Sequence, residues 1–543
     1  MKFKLNWALF GILILAMVLR VPQISRYPAG FTADEAAFGY NAYSILQTGM
    51  DEWGTPWWKL FFTNMRSFGD YKLPLYTFLA IPSIAIFGLN EFAVRLPNTI
   101  FGTLAVLGVY FMAKKLFPER KFIGLLSALV LAIMPWHVQL SRGAFEANLI
   151  TFFLPWAIYF FLSKRYTLAL SSIALSFYSY HTARYLAPFL LLILVLYQNL
   201  KPTRKNLVSV CVFLLISLPA IIAVIGVGKT RVADLSILSP TDNWSGVAGR
   251  RFEARNLGLP DPIARLFSNK VTQTFTNITK SYLSYLSPDF LFINGASEST
   301  YGMMPGRGAL YFIEIIFVIS YLILLIQTKS KQLIFLGLLL LICPIPAAFA
   351  KSSGNSATRV APMIPILSIM VSIGIFNFLE TFKKHKKSLT TALIAIYGVS
   401  LAFFLEDYFY HGSKINAPSM NYGWRELMPR LSGIAREYDE VQVSRSLSEP
   451  QIFIAFYEKI DPFYFQSQSR AWSNFDENGL KFLDQYDGYF LGKYRFGNLN
   501  LDRAKTQKTL LVGKPQDIPE SYGQYFSIFY PDGNPAIQVS KSL

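Results

Sequence analysis

Long apolar runs alternate with short polar stretches along most of this chain, and their length matches what a bilayer demands. A helix crossing the hydrocarbon needs roughly 20 mostly apolar residues. Such runs fall at 6–22, 93–113, 122–140, 148–162, 167–180, 185–200, 207–227, 308–327, 332–350, 360–380 and 388–405, about eleven spans, of which 167–180 is the shortest. One further apolar stretch, 74–88, is shorter than most of these and contains Pro82, and it reads as a helix lying in the membrane interface. After 405 the pattern changes. Short β-like runs (Val441 to Ser444, Tyr489 to Leu491, Leu510 to Val512, Ile537 to Val539) alternate with helix-like pieces such as 450–458. The pattern predicts a mainly α fold. Residues 1–405 form a polytopic transmembrane helical domain, and 406–543 form a small soluble α/β domain.

The polar loops orient the spans. Lys2 and Lys4 precede the first. Lys114, Lys115, Arg120 and Lys121 follow the second, Lys164 and Arg165 the fourth, and Lys201, Arg204 and Lys205 the sixth. Lys329 and Lys331 follow the eighth, and Lys383, Lys384, Lys386 and Lys387 the tenth. All fall on one side provided 74–88 does not cross, and the basic side is cytoplasmic. The N-terminus is then inside. The first loop (23–92), the loop at 228–305 and the 406–543 tail lie outside, in or beyond the plasma membrane of a multi-pass protein.

Composition supports the lipid setting. Of 543 residues, 52% are hydrophobic and only 15% charged, where a soluble domain carries about a quarter charged. The net charge of +18 is carried by loops that flank spans. No basic stripe or aromatic RNA-binding motif accompanies it, which excludes nucleic acid as a partner. Cys211 and Cys343 lie in apolar runs and read neither as a disulfide framework nor as a metal site. The basic, apolar start resembles a signal peptide, but Arg20-Val21-Pro22 follows it in place of a small-residue cleavage site, so a retained span is expected. There is no Gly-Lys-Ser phosphate loop, no HExxH and no Gly-x-Ser-x-Gly, and Pro305-Gly306-Arg307-Gly308 reads as a turn.

The candidate chemistry sits in the outer loops. Asp34 and Glu35 follow Thr32 just beyond the first span, ahead of an aromatic helix with Phe38, Tyr40 and Tyr43. Adjacent acids near a bilayer suit proton abstraction or metal binding. Glu35 also stands where it would close a capping box with Thr32. Gly69-Asp70-Tyr71-Lys72 places Lys72 at the start of the interfacial helix, as a cation for a phosphate leaving group or as a lysine snorkelling at the surface. Glu146 adds an acid in the second outer loop. His181 and Arg184 follow the fifth span, and Arg359 precedes the tenth. A histidine at a helix end is more often structural than a ligand. Acids and cations converging on one membrane face suit a reaction that activates a hydroxyl and expels a phosphate.

The order Ala33-Asp34-Glu35-Ala36, Gly69-Asp70-Tyr71-Lys72-Leu73-Pro74-Leu75-Tyr76, and Phe87-Gly88 through Glu91-Phe92-Ala93-Val94-Arg95-Leu96-Pro97 resembles the GT-C glycosyltransferases. It is most similar to glycosyltransferase family 39, which holds dolichyl-phosphate-mannose protein mannosyltransferases and the lipid A aminoarabinose transferase. The resemblance covers 1–200 well and extends loosely to 405. It implies membrane-parallel helices in the first outer loop. It also implies inverting transfer of a mannose-like hexose or a pentose from a polyprenyl-phosphate donor to a protein, lipid or cell-envelope glycan acceptor on the outer face. By the same resemblance Asp34 matches the first-loop carboxylate that acts as base or metal-side ligand; Glu35, beside it, and Glu146 are further catalytic candidates. Glu146 stands where relatives carry Asp. Lys72 meets the donor phosphate, with Arg184 and Arg359 as further phosphate contacts and Tyr71 and His181 as accessory candidates. A divalent metal ion as cofactor is left open. Two rival readings are a transporter or flippase of a lipid-linked sugar, and a non-catalytic surface protein whose tail binds a partner. Transporters place ionisable groups inside their spans and carry inverted repeats. Here Glu314 is the exception within nearly uncharged spans, and no repeat is visible.

Overall fold

The computed structural model describes residues 6–201, 203–226, 245–297, 303–351, 354–472, 480 and 482–542. Lys2 and Lys4, and part of the 228–305 loop, lie outside the described residues. Each predicted span overlaps at least one helix, among them Trp7–Arg20, Glu91–Leu116, His181–Gln198, Lys331–Ile342, Met363–Thr381 and Lys386–Glu406. Among the described residues, six helices are long and apolar enough to cross a membrane and six more apolar helices are shorter. The predicted 122–140 run is broken. Ile123–Ile133 stops at Met134, which is extended, and Pro135–Leu140 restarts with proline in its first turn. Proline lacks the amide that would continue the preceding ladder.

The run 74–88 forms the helix Leu75–Phe87. It packs between Ala33–Thr48 and Glu91–Leu116, with Tyr76 donating its hydroxyl to Val94 O at 2.9 Å. Ahead of it, strand β1 (Met65–Ser67) pairs antiparallel with β2 (Asp70–Lys72). Their two-residue turn, Phe68-Gly69, has both φ values positive, at 40° and 93°. This is the geometry that matches the twist of a tight hairpin.

The tail holds a sheet ordered β4-β5-β3-β6-β8-β7 among the described residues. Its strands are β3 (Glu440–Ser444), β4 (Phe490–Leu491), β5 (Tyr494–Gly497), β6 (Thr509–Gly513), β7 (Gln524–Phe529) and β8 (Pro535–Lys541). β3 lies parallel to both β5 and β6, and the outer pairings are antiparallel. The four predicted β-like runs are β3, β4, β6 and β8, and the helix Pro450–Glu458 falls on 450–458 as read from sequence.

The tail is fused to the 23–92 loop by one apolar core. Phe31, Phe38, Tyr76 and Phe153 are buried in the same cluster as Trp424, Phe453, Phe456 and Val441. Phe31 meets Phe456 with ring centroids 4.9 Å apart. Gly39 is required at this seam, because a Cβ there would lie 2.6 Å from the Phe456 ring. Polar bonds follow the same line. Phe31 N donates to Met420 O at 2.8 Å and Leu483 N to Phe68 O at 3.1 Å, and Tyr40 donates to Ile460 O at 3.0 Å. Arg425 and Tyr457 both bind Glu91.

Candidate active site

Thr32 caps the helix Ala33–Thr48, and the capping box expected with Glu35 is present. This sets Asp34 and Glu35 in the first turn, where the helix dipole favours negative charge. From there the two acids diverge. Glu35 is fully enclosed. Its Oε1 accepts from Arg95 Nε at 2.7 Å and Ala144 N at 2.8 Å. Its Oε2 accepts from Arg95 Nη2 at 2.9 Å and Thr32 N at 3.0 Å. Arg95 spends its remaining donors on Ile24 O (2.8 Å), Pro28 O (3.2 Å) and Gly30 O (2.6 Å). Four donors on one buried carboxylate leave it no room for a reactant, so Glu35 serves as the post that joins the first outer loop to the second. That placement gives Glu35 a structural role beside the catalytic one read for it from the sequence.

Asp34 keeps 39% of its side chain exposed and pairs with the ammonium of Lys72, whose own side chain is 5% exposed. Asp70 Oδ2 approaches the same ammonium at 3.4 Å. Asp70 and Lys72 are two apart on β2 and therefore share a face. Alternation within Asp70-Tyr71-Lys72 is the sequence signal that would have singled out Asp70. Tyr71, between them, is half-buried and crosses to Arg66 on β1. Phe68 floors the site, with Lys72 Nζ 4.6 Å from its ring centroid.

The 177–184 loop meets the chain just beyond this hairpin, and the 351–359 loop packs on the 177–184 loop. Leu75 N, just beyond Lys72, donates to Tyr178 O at 3.0 Å. Arg184, in the first turn of His181–Gln198, donates through Nε to Phe177 O at 2.9 Å. Its Nη2 is buried with no hydrogen-bond partner among the described residues. His181 opens the same helix and is half-buried. Thr182 donates to Arg359 O at 3.2 Å, and the Tyr180 hydroxyl to Thr358 at 3.2 Å. Arg359 Nη1 donates to Lys351 O at 2.9 Å. Glu146, half-buried at the start of a short helical turn, acts electrostatically on Tyr76, as do Glu35 and Arg95.

The tail adds acids that sequence reading did not select. Glu449 follows β3 on a turn where Ser448 and Glu449 have φ of 48° and 51°. It is buried, and its carboxyl feels Asp484, Lys72 and Glu52. Burial pushes Glu449 well above the usual carboxylate range, Asp484 and Glu52 add to this, and Lys72 opposes it. Burial likewise pushes Glu52 up to about 8, against the Ser67 hydroxyl and with Asp51 beside it. Asp51 is itself pushed up to about 6 by burial, against backbone hydrogen bonds from Thr55 and Trp53.

A metal does not fit between Asp34 and Asp70, because the Lys72 ammonium takes the place a divalent cation would fill. Among the described residues, Glu406, Asp407 and His411 offer ligand atoms within 4.8 Å of one another. Asp407 is paired with Arg307, and His411 Nε2 stands 3.1 Å from Glu406, so the group reads as an ion-pair cluster.

Comparison with known proteins agrees with this architecture. Residues 72–225 match the family model for dolichyl-phosphate-mannose-protein mannosyltransferase, a stretch that begins at Lys72 and contains Glu146, His181 and Arg184. No curated protein sequence matches the chain. Among solved structures, ArnT from Cupriavidus metallidurans in the apo state aligns with a TM-score of 0.51 and 11% identity over 99% of this chain and 97% of that one. ArnT bound to undecaprenyl phosphate aligns with 0.52 and 12% over the same shares. The chain is a multi-pass membrane protein of the GT-C glycosyltransferase fold, similar to ArnT.

Proposed function

We propose that the protein transfers a sugar from a polyprenyl-phosphate donor to an acceptor hydroxyl or amine on the outer face of the membrane, with inversion at the anomeric carbon. The observation that carries this reading is the Asp34–Lys72 pair, a part-exposed carboxylate and an enclosed ammonium held together where several spanning helices begin. Two supports come from outside the chain: the matched family is named for a dolichyl-phosphate-linked sugar, and the ArnT of like fold binds undecaprenyl phosphate.

The chemistry follows from the charges. The acceptor attacks the anomeric carbon as the bond to the phosphate oxygen breaks. The departing phosphate gains negative charge, which Lys72, the free Nη2 of Arg184, and Arg359 would neutralise. The acceptor loses a proton, and Asp34 is the first-turn acid with the exposure to take it. A phosphate on Lys72 competes with Asp34 for the ammonium, so donor binding frees the base. Glu146 is the second acid on this face and would orient the acceptor. His181 would be an accessory contact on the phosphate side, and Tyr71, on the opposite face of β2 from Lys72, would support the hairpin.

The test is transfer from radiolabelled polyprenyl-phosphate mannose, then from a panel of other polyprenyl-phosphate sugars. Membranes carry wild type, Asp34→Asn or Lys72→Ala. Loss of about 10²-fold or more in each variant is expected, the range for removing a base or an anion-stabilising group. Full activity in Asp34→Asn sinks the assignment.

A further inference from the structure

We propose that the helices Ser245–Asn256, Asp261–Phe267 and the first half of Lys270–Leu286 form an arm that lies on the membrane surface beside the bundle and seats anionic phospholipid headgroups. The inference does not rest on the transfer reaction.

The arm carries two features that water alone does not explain. Phe252, Leu257, Leu266, Phe267, Val271 and Phe275 are each between 65% and 83% exposed. Large apolar side chains exposed at this density over three successive helices point to an interaction surface. Beside it, three guanidinium groups crowd one acid. Arg251 Nη2 lies 2.7 Å from Asp261, Arg265 Nε 2.9 Å and Arg255 Nε 3.5 Å. Asp261 cancels one of these charges and leaves two in excess. Arginines at the edge of a Phe/Leu surface are the signature of an interfacial helix on an anionic bilayer.

The anchored end fixes which surface this is. Along Lys270–Leu286 the apolar positions recur at Val271, Phe275, Ile278, Tyr282 and Leu286, one stripe of the helix. At the far end of that stripe Tyr282 donates to Leu341 O at 2.8 Å. Leu341 belongs to Lys331–Ala348, a segment long and apolar enough to span, and is itself 47% exposed. The same turn is tied down by Ser284 on Asn355 at 2.8 Å and by Ser356 N on the Tyr285 hydroxyl at 3.1 Å. Followed back from Leu341, the stripe leaves the bundle and reaches Phe275 and Val271, which are 71% and 78% exposed among the described residues. The lipid that bathes Leu341 is therefore the neighbour at hand, and the excess guanidinium charge selects its anionic headgroups.

The experiment places bimane at Phe267→Cys in the full chain, in a Cys211→Ser background because Cys211 is exposed and Cys343 buried. Asp502→Cys, on the tail, is the control. Both are reconstituted in nanodiscs with and without phosphatidylglycerol, and quenching by lipids with a nitroxide high on the acyl chain is read. The expected result is several-fold stronger quenching at 267 than at 502, increased by phosphatidylglycerol. Substituting Arg251, Arg255 and Arg265 together by Gln should remove that increase, since each arginine near an anionic surface strengthens attachment about five-fold. The quenching in the native-arginine background stands whether or not the triple variant folds. Equal quenching at both positions overturns the proposal. So does protection at 267 that depends on a second copy of the chain, and so does quenching indifferent to phosphatidylglycerol.

Discussion

Asp34 and Glu35 stand side by side in sequence, yet burial assigns them opposite work. Glu35 is held by the bidentate Arg95 fork. Removing it as Glu35→Ala leaves an arginine charge buried without its partner, at a cost of about 3–5 kcal/mol. A thermal melt in detergent should show that loss, whereas Asp34→Asn should melt near wild type and lose transfer. Glu52 makes a pH prediction of its own. Its carboxyl is pushed up to about 8 by burial, so the folded chain holds a proton that the unfolded chain releases near the ordinary carboxylate value. Stability is therefore greatest below that ordinary value and falls as pH rises from there to about 8. The slope from this one group is at most about 1.4 kcal/mol per pH unit. Glu52→Gln should flatten that slope in melts taken at pH 5, 6.5 and 8. An unchanged slope would place the proton elsewhere, on Asp51 or Glu449.

At the scale of elements, the seam between first outer loop and tail decides whether the site exists. Phe456→Ala should cost about 3–5 kcal/mol as a buried aromatic truncated in a shared core. Gly39→Ala should cost about 1–3 kcal/mol by overpacking against the same ring. The new Cβ meets both Val94 Cγ2 and the Phe456 ring. The double variant therefore relieves the Phe456 part of the clash, and its total loss should be smaller than the sum of the two by about 0.5–3 kcal/mol. Additive losses would mean the seam relaxes in some other way. This seam is also where sequence reading stops. Spans and tail strands announce themselves by run length and alternation, and the Thr32–Glu35 capping box by its spacing. The docking of Phe456 on Gly39 joins residues more than 400 apart and leaves no local periodicity. β1, β2, β5 and β7 are not legible in the sequence because strands of three to six residues with mixed burial lack a pattern distinct from a loop. Glu449 reaches Lys72 only through the tail's fold. Arg95 does announce itself, since an ionisable side chain in an apolar helix calls for a partner, but its partner Glu35 lies 60 residues away.

At the scale of the whole molecule, the helices separate two ends by charge. Glu91–Leu116 starts where Arg95 holds Glu35 and finishes at Lys114 and Lys115. Its 26 residues rise about 39 Å, more than the roughly 30 Å of hydrocarbon. His181–Gln198 starts at His181 and Arg184, and Lys201 follows its end. Met363–Thr381 follows Arg359, and Lys383, Lys384, Lys386 and Lys387 come just after it. Candidate chemistry therefore gathers at one end of these helices and lysine at the other. Because short basic loops stay in the cytoplasm, the Asp34–Lys72 site and the tail should face outward. The prediction is tested with a membrane-impermeant thiol reagent on intact cells carrying Cys211→Ser. Glu520→Cys, exposed in the tail, should be labelled at once. Lys384→Cys, exposed beyond Thr381, should be labelled only after permeabilisation. The reverse pattern would turn the site toward the cytoplasm. The donor would then have to present its phosphate from the inner leaflet, and transfer on the outer face would fall while the Asp34–Lys72 chemistry stood.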